Sequence, residues 1–349
     1  MVEMKTALVL GATGGIGGAM ARALIARGWK VRALHRDPAK VSRAIMGVEW
    51  VRGDAMQRAD VVAAAAGAAL IVHGVNPPGY RNWRTLALPM LENTVAAAAA
   101  SSARICFLGT VYNFGPDAFP LLAEDAPQHP RTRKGAIRVE MEACLKSAAA
   151  HGVKSLILRC GDFFGPVVTA NSWFSAALVK PGRRLRAVVY PGRHDVGHAW
   201  AYLPDVAETA MRLIERDAQL PDFAVFHFDG HWFARGVEMA EMVAAAAGEQ
   251  GLPIRRLPWW LVRMASPFVT TFREMLEMAY LWQQPVRLDN RRLLAFLGEE
   301  PHTPALAAVR ASLQGLGCLG PSANAPAANV QAANAQAANA QAATAHAAF

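Results

Sequence analysis

Residues 6–31 read TALVLGATGGIGGAMARALIARGWKV, and the fold can be worked outward from this stretch. TALVL is a short apolar run without polar alternation, the pattern of a strand covered on both faces. Gly11, Gly14 and Gly17 follow at GxxGxxG spacing, and an amphipathic helical stretch, Gly15–Arg27, opens among them. Gly11 suits a tight turn, Gly14 lets the backbone approach a pyrophosphate, and Gly17 lets the helix pack close to the strand. The helix N-terminus then offers N–H groups and a positive dipole end to phosphates. Strand, glycine turn and helix in this order mark a dinucleotide-binding segment, with Gly11, Thr13, Gly14, Gly15, Ile16 and Gly17 as its contacts.

The pattern repeats down the chain. Strands are predicted at Thr6–Leu10, Lys30–Leu34, Val48–Val51, Leu70–His73, Arg104–Leu108 and Ser155–Arg159, rich in Val, Ile and Leu. Helical stretches lie between them at Arg58–Ala65, Trp83–Ala100 and Arg133–His151, and Gly28 and Gly152 sit where helix ends favour a left-handed residue. Alternating strands and helices imply a parallel sheet of the doubly wound α/β class, a Rossmann fold, over residues 1–165. Beyond 165, Pro and Gly break the pattern, which recovers at Leu203–Arg216, Val237–Ala247 and Phe272–Trp282. Residues 166–320 are therefore read as a smaller, substrate-facing region whose strands and helices return to the core. From Asn329 a five-residue repeat (NVQAA, NAQAA, NAQAA, TAHAA) has no charge and no apolar face, so 321–349 is read as a disordered tail.

The 349 residues are 53% hydrophobic and 18% charged, enough apolar material for a sizeable core. No run reaches 18 consecutive apolar residues and no basic, apolar leader opens the chain, so neither a membrane span nor a secretory signal is expected. Cys106, Cys144, Cys160 and Cys318 are scattered without a CxxC pair, favouring buried thiols in the cytoplasm over disulfides or zinc. The net charge of +9 comes without any nucleic-acid-binding motif, so an anionic cofactor or substrate accounts for it better than nucleic acid.

The end of the second strand is where a dinucleotide ribose is read. An NAD-preferring site carries Asp or Glu there; this chain has His35 and Arg36, which suit the 2′-phosphate of NADP. Arg36 is the first candidate and Lys40 the second, with Asp37 capping the turn that begins at Pro38. After the third strand, Asp54 is read either as a contact to the adenine amino group or as an N-cap for the next helix. His73, Gly74 and Val75 end the fourth strand beside the cofactor, and Asn76 follows on the substrate side.

Taken together, GATGGIG at Gly11–Gly17, HRDP at His35–Pro38, GD at Gly53–Asp54, VYNFGP at Val111–Pro116, LRCGDFFGP at Leu158–Pro166 and HAWAYLPDVAE at His198–Glu208 resemble the extended short-chain dehydrogenase/reductase family. That family includes nucleotide-sugar epimerases, dehydratases and dihydroflavonol-type reductases. The resemblance covers about 210 residues in order, and it implies a Ser or Thr after the fifth strand plus a YxxxK pair on the next long helix. Thr110 stands in the first place. On the helix, RTRKGAIRVEMEACL aligned on Glu142 puts Lys134 where Tyr belongs and Arg138 where Lys belongs. The i, i+4 spacing survives, so both share a helix face. Arg138 can hold ribose hydroxyls but stays protonated. Lys134 is read as a general acid or as a solvent-facing or phosphate-binding cation, and Tyr112 as an alternative acid or a packed aromatic.

His194 and His198 make an HxxxH spacing, but Pro191 and Gly197 argue against a helix, so His198 is read as a substrate contact and no metal is expected. Trp259, Trp260 and Trp282 are read as core or subunit packing rather than as a lipid or stacking surface. The leading function is an NADP-dependent oxidoreductase, epimerase or dehydratase acting on a small polyol-like or nucleotide-linked substrate, with NAD as the second-choice cofactor. The alternative is a non-catalytic NADP-binding sensor. Expected partners are the small-molecule substrate and, in a homodimer, a second copy of the chain, but not nucleic acid or membrane.

Overall fold

The computed structural model describes residues 4–41, 45–77, 82–167, 172–248 and 251–319. The first half builds β1 (Thr6–Leu10), α1 (Gly15–Ala26), β2 (Lys30–His35), β3 (Val48–Arg52), α2 (Arg58–Ala64), β4 (Ala68–His73), α3 (Trp83–Ser101), β5 (Arg104–Thr110), β6 (Leu121–Leu122), α4 (Arg133–Ala149) and β7 (Ser155–Cys160). The second half adds β8 (Asp162–Phe164), β9 (Val188–Tyr190), β10 (His198–Tyr202), α5 (Leu203–Glu215), β11 (Phe223–Phe228), β12 (His231–Phe233) and α6 (Glu238–Ala247). It continues through β13 (Ile254–Arg256), α7 (Trp259–Ala265), α8 (Thr270–Glu277), β14 (Arg287–Leu288), α9 (Arg291–Leu297) and α10 (Ala305–Gly315).

Seven strands form one parallel sheet in the order β11-β7-β5-β4-β1-β2-β3. Chain order reverses between β1 and β4, so this is the doubly wound arrangement with its crevice at the carboxyl ends of those two strands. Although the strands read as continuously apolar, alternate residues serve opposite faces. Ala7, Val9, Leu70, Val72, Cys106 and Leu108 pack with Met20 and Leu24 of α1 and with Ala210, Met211 and Ile214 of α5. Leu8, Leu10, Ile71, Ile105 and Phe107 pack with Val61 of α2, Leu91 of α3 and Ile137, Met141 and Leu145 of α4. Burial on both faces explains why period-2 alternation is missing from the sequence.

The strand β11, supplied by the second half, completes the sheet beside β7. The rest of that half gathers around a third apolar cluster with Phe164, Trp173, Phe174, Tyr190, Trp200 and Trp282 at its centre. Small sheets β12-β10-β8, β13-β9 and β14-β6 frame it. All four cysteines are free thiols. Burial pushes Cys106 up to about 12 and Cys318 up to about 11, which suits unreactive packing thiols. Among the described residues no helix is long and apolar enough to cross a membrane. The repeat from Asn329, with the whole of 321–349, lies outside the described residues.

Candidate functional site

The first wall of the crevice is the β1–α1 turn. Gly11 has φ +83°, and a Cβ there would lie 2.5 Å from the Gly74 carbonyl oxygen, so both conformation and contact require glycine. A Cβ on Gly17 would lie 2.3 Å from the Gly11 carbonyl oxygen, whereas one on Gly14 would meet that same oxygen at 3.3 Å. The Gly14 N–H donates to the Gly11 carbonyl at 2.9 Å, and the Gly74 N–H donates to the Leu10 carbonyl at 2.9 Å. The turn is thus clamped between α1 and the end of β4. No side chain caps α1 at Gly14, and its first turn holds no acidic residue. Thr13 and Gly14 are exposed and Ile16 is half-buried, while Gly15 and Gly17 are packed. This cradle fits a dinucleotide pyrophosphate, since uncapped first-turn amides with the helix dipole behind them favour an anion.

At the end of β2, Nδ1 of His35 accepts the Asp37 N–H at 3.1 Å, and the ring stands edge-on to Trp50. Arg36 is exposed, with no ion-pair partner among the described residues. The second-ranked cation is placed differently. The exposed Lys40 pairs with Asp37 at 3.0 Å, so its charge is already answered locally. Asp54 closes an Asx turn, its Oδ1 accepting the Met56 N–H at 3.0 Å. The helix-cap alternative for Asp54 is overturned, because the N-cap position of α2 belongs to Gln57, three residues later.

His73 ends β4 and is 3% exposed. Its Nδ1 lies 2.8 Å from Oγ1 of Thr94, whose single hydroxyl proton is donated to the Met90 carbonyl at 2.9 Å. Nδ1 must therefore carry the proton, which leaves Nε2 as a bare acceptor. That Nε2 is buried without a hydrogen-bond partner among the described residues. Burial first, and the charge of Arg138 second, push the His73 imidazole down to about 3, so it is neutral at physiological pH. Val75 is half-buried and Asn76 exposed just beyond it.

The opposite wall joins the end of β5 to the start of α4. A Cβ on Gly135 would lie 2.2 Å from the Tyr112 carbonyl oxygen, so Gly135 seats the α4 N-terminus directly against the Thr110–Tyr112 segment. Thr132 caps this helix, its Oγ1 accepting the Gly135 N–H at 2.9 Å. Glu142, two turns on, forms a two-pronged buried pair with Arg159 of β7 at 2.6 and 3.0 Å. That pair fixes the rotation of α4 and turns both Lys134 and Arg138 inward. The Arg138 guanidinium lies 5.2 Å from the Trp83 ring centre and 5.4 Å from that of Phe107.

Lys134 is 2% exposed, which overturns the solvent-facing alternative. Its Nζ pairs with the Glu274 carboxylate and, at 2.7 Å, with Glu277 Oε2, both on α8. Glu277 Oε1 also accepts the Arg133 N–H, placing a carboxylate at the α4 N-terminus where the helix dipole favours it. Burial alone would raise the Glu277 carboxyl; the Lys134 hydrogen bond and charge, aided by Arg133, outweigh burial and hold it below its ordinary value. Neither glutamate was foreseen from sequence. They stand about 140 positions from Lys134, and no spacing rule reaches that far.

The substrate-side histidine sits deeper than its place in HAWAYLPDVAE suggests. His198 is 7% exposed, bonds Asp162 Oδ2 through Nε2 at 2.8 Å, and stacks on Trp282 at 3.9 Å between ring centres. Among the described residues no three His, Cys, Asp or Glu side chains gather as a metal-holding group. The tryptophans divide. Trp282 is buried and Trp259 donates its Nε1–H to the Pro191 carbonyl at 2.7 Å, but Trp260 is 63% exposed, against the packing role read for it.

The sequence profile of the NAD-dependent epimerase/dehydratase family matches residues 7–226. A 3-diazoavenalumate denitrifying reductase of a Streptomyces species is 31% identical over 174 residues, 46% of this chain. That match spans only 56% of the reductase's own length. Among solved structures, the UDP-glucuronic acid 4-epimerase of Bacillus cereus, in complex with UDP-glucuronic acid and NAD, superposes with a TM-score of 0.70. It is 13% identical, and the superposition covers 89% of this chain and 98% of that one. The Bordetella bronchiseptica enzyme WbmH, in complex with NAD+, gives a TM-score of 0.64 at 19% identity, covering 90% and 98%. At these identities the structural likeness shows the fold.

Proposed function

Because this chain belongs to the NAD-dependent epimerase/dehydratase family, we propose that it is an NADP(H)-dependent reductase of a small substrate, working with a lysine where the family resemblance implies a tyrosine. With its pyrophosphate over the Gly11–Gly17 cradle, the dinucleotide would supply hydride chemistry through its nicotinamide. The chain's own residues supply the rest. The α1 N-terminus and its glycines hold the pyrophosphate, and Arg36 grips the ribose 2′-phosphate. Arg138, steadied over Trp83 and Phe107, supports the ribose on the nicotinamide side.

The observation that carries the reductive direction is the pairing of Lys134 with Glu274 and Glu277. Epimerisation and dehydration both begin with removal of a proton, whereas reduction of a carbonyl needs only a proton donor to the developing alkoxide. The Lys134 ammonium, paired with two carboxylates, has protons to donate and no lone pair to accept one, which suits proton delivery to the oxygen of a reduced product. Thr110 and Tyr112 border this position and orient the substrate. The curated reductase relative agrees with this direction. The substrate is small and polar, and the fold's nucleotide-sugar-binding neighbours make a nucleotide-linked compound the first class to try. The free, buried thiols of Cys106, Cys160 and Cys318 suit the cytoplasm.

Titration of the purified protein with NADPH and NADH tests the cofactor half. NADPH is expected to bind roughly 10–100-fold more tightly, the value of one charge-assisted contact, and Arg36→Ala to remove most of that margin. Equal affinities in the wild type overturn the assignment. Lys134→Ala is expected to abolish turnover of a reducible substrate while NADPH affinity stays the same, the pattern of lost transition-state stabilisation.

A further inference from the structure

Residues 251–273 read GLPIRRLPWWLVRMASPFVTTFR: four arginines and no acidic residue. The structure turns this segment into a surface of a definite kind. Trp260 is 63% exposed, Leu261 46%, Met264 68%, Phe268 90% and Val269 39%, in a chain whose other large apolar side chains are mostly buried. On α7, Val262 at 5% exposure and the half-buried Trp259 face inward, with Trp260, Leu261 and Met264 on the outer side. The helix pair is anchored from within by the Trp259 bond to Pro191 and by Glu274 and Glu277 on Lys134. The outward apolar residues are therefore held there by packing.

The surrounding charges identify what covers them. Among the described residues no carboxylate lies within ion-pair distance of Arg255, Arg256 or Arg263, and all three are exposed; only Arg256 has a carboxylate in its field, that of Asp195, which is held low first by its pair with Arg193. Several surface arginines elsewhere are answered, Arg27 by Glu208 and Glu215, Arg212 by Glu208 and Glu299, Arg235 by Glu238 and Glu241, and Arg287 by Asp229; others, Arg36 among them, are not, but none of those adjoins large exposed apolar side chains in sequence as Arg263 does. Exposed apolar side chains that include a tryptophan, in a segment whose exposed arginines Arg255, Arg256 and Arg263 lack ion-pair carboxylates, match the interface of an anionic bilayer, where rings enter the headgroup boundary and arginines meet lipid phosphates. A second copy of the chain fits poorly. A two-fold contact built on 251–273 would bring its four arginines toward their own copies, and the segment itself holds no carboxylate to answer them.

We propose that the α7–α8 face docks the protein peripherally on an anionic phospholipid surface, with Trp260, Met264 and Phe268 inserted and Arg255, Arg256 and Arg263 on the headgroups. This stands apart from the cofactor reading, and it departs from the sequence expectation of no membrane partner. The test is flotation of the full chain with vesicles of phosphatidylcholine alone and of equal parts phosphatidylcholine and phosphatidylglycerol. Partitioning into the anionic vesicles is expected to exceed the neutral level about a hundredfold, from about fivefold for each of three arginines. Arg255→Gln with Arg256→Gln and Arg263→Gln should bring it back to the neutral level. Phe268→Glu should reduce it at least tenfold with an unchanged Tm, since Phe268 contributes little to the core. Brominated lipid should quench the wild type more than Trp260→Phe. Equal partitioning into both vesicle types, or partitioning indifferent to Phe268→Glu, overturns the proposal. So does a concentration-dependent dimer in sedimentation that Phe268→Glu dissolves, which would assign the face to self-association.

Discussion

Lys134→Met exposes the electrostatics of the site most directly. The substitution keeps most of the volume and removes the ammonium, leaving the carboxylates of Glu274 and Glu277 facing each other with side-chain exposures of 9% and 14%. Breaking a buried pair by removing one partner costs about 3–5 kcal/mol, because the remaining charge is desolvated without compensation. Arg133 relieves part of this, at 3.8 and 3.7 Å from the two carboxylates, but its side chain is 76% exposed and its charge well screened. The lower end, about 3 kcal/mol at pH 7, is therefore expected. With a urea slope of about 3 kcal/mol/M for a chain of this size, the midpoint should fall by roughly 1 M. The pH dependence carries the sign. Glu277 is held below its ordinary value in the wild type, so its contribution is present at neutral pH and is lost as pH falls through that depressed value. Without Lys134, burial and the neighbouring Glu274 carboxylate are opposed only by Arg133, and Glu277 takes up a proton above the ordinary carboxyl range. The difference between wild type and variant should thus shrink from pH 7 to pH 4. Adding Glu274→Gln and Glu277→Gln to Lys134→Met should recover most of the loss. Urea melts of the proteins at both pH values decide the matter. A cost below about 1 kcal/mol at pH 7, or one that is equal at pH 7 and pH 4, would refute the buried triad.

Gly17→Ala should abolish dinucleotide binding in a cofactor titration, since its Cβ would stand 2.3 Å from a backbone oxygen; Gly14→Ala, with 3.3 Å available, should weaken binding far less. Arg138→Ala should lower NADPH affinity by roughly tenfold in the same titration, at about 1–2 kcal/mol for a charged contact, whereas Lys134→Ala should leave it unchanged. Three buried histidines, His73 and His227 near 3 and His231 near 4, are neutral in the folded chain but protonate near 6.5 when unfolded. Stability should therefore fall as pH drops below about 6.5, by up to about 1.4 kcal/mol per histidine per pH unit, and His231→Gln should flatten that limb in urea melts.

The strands and helices of the first half were legible because each is a local matter. An unbroken apolar run, a 3.6-residue period and a glycine at a helix end speak for themselves; Thr6–Leu10 lies where the sequence puts it, and Ser155–Cys160 runs one residue past the expected Ser155–Arg159. The glycine turn was equally legible, since its constraint is steric and acts over six residues. Arg36 could be placed just past β2, where the structure leaves it exposed. Lys134 could be located from Glu142 alone, but not understood. Whether its ammonium meets water, substrate or carboxylate depends on α8, brought back across about 140 residues by the packing of the second half. The same holds for the tryptophans. Trp259 and Trp260 are adjacent in sequence and alike in chemistry, and only the docking of α7 decides that one bonds Pro191 while the other faces outward. Local sequence sets which conformations and charges are available. Long-range packing decides which of them meet, because desolvation and ion pairing depend on neighbours that the chain supplies only once it has folded.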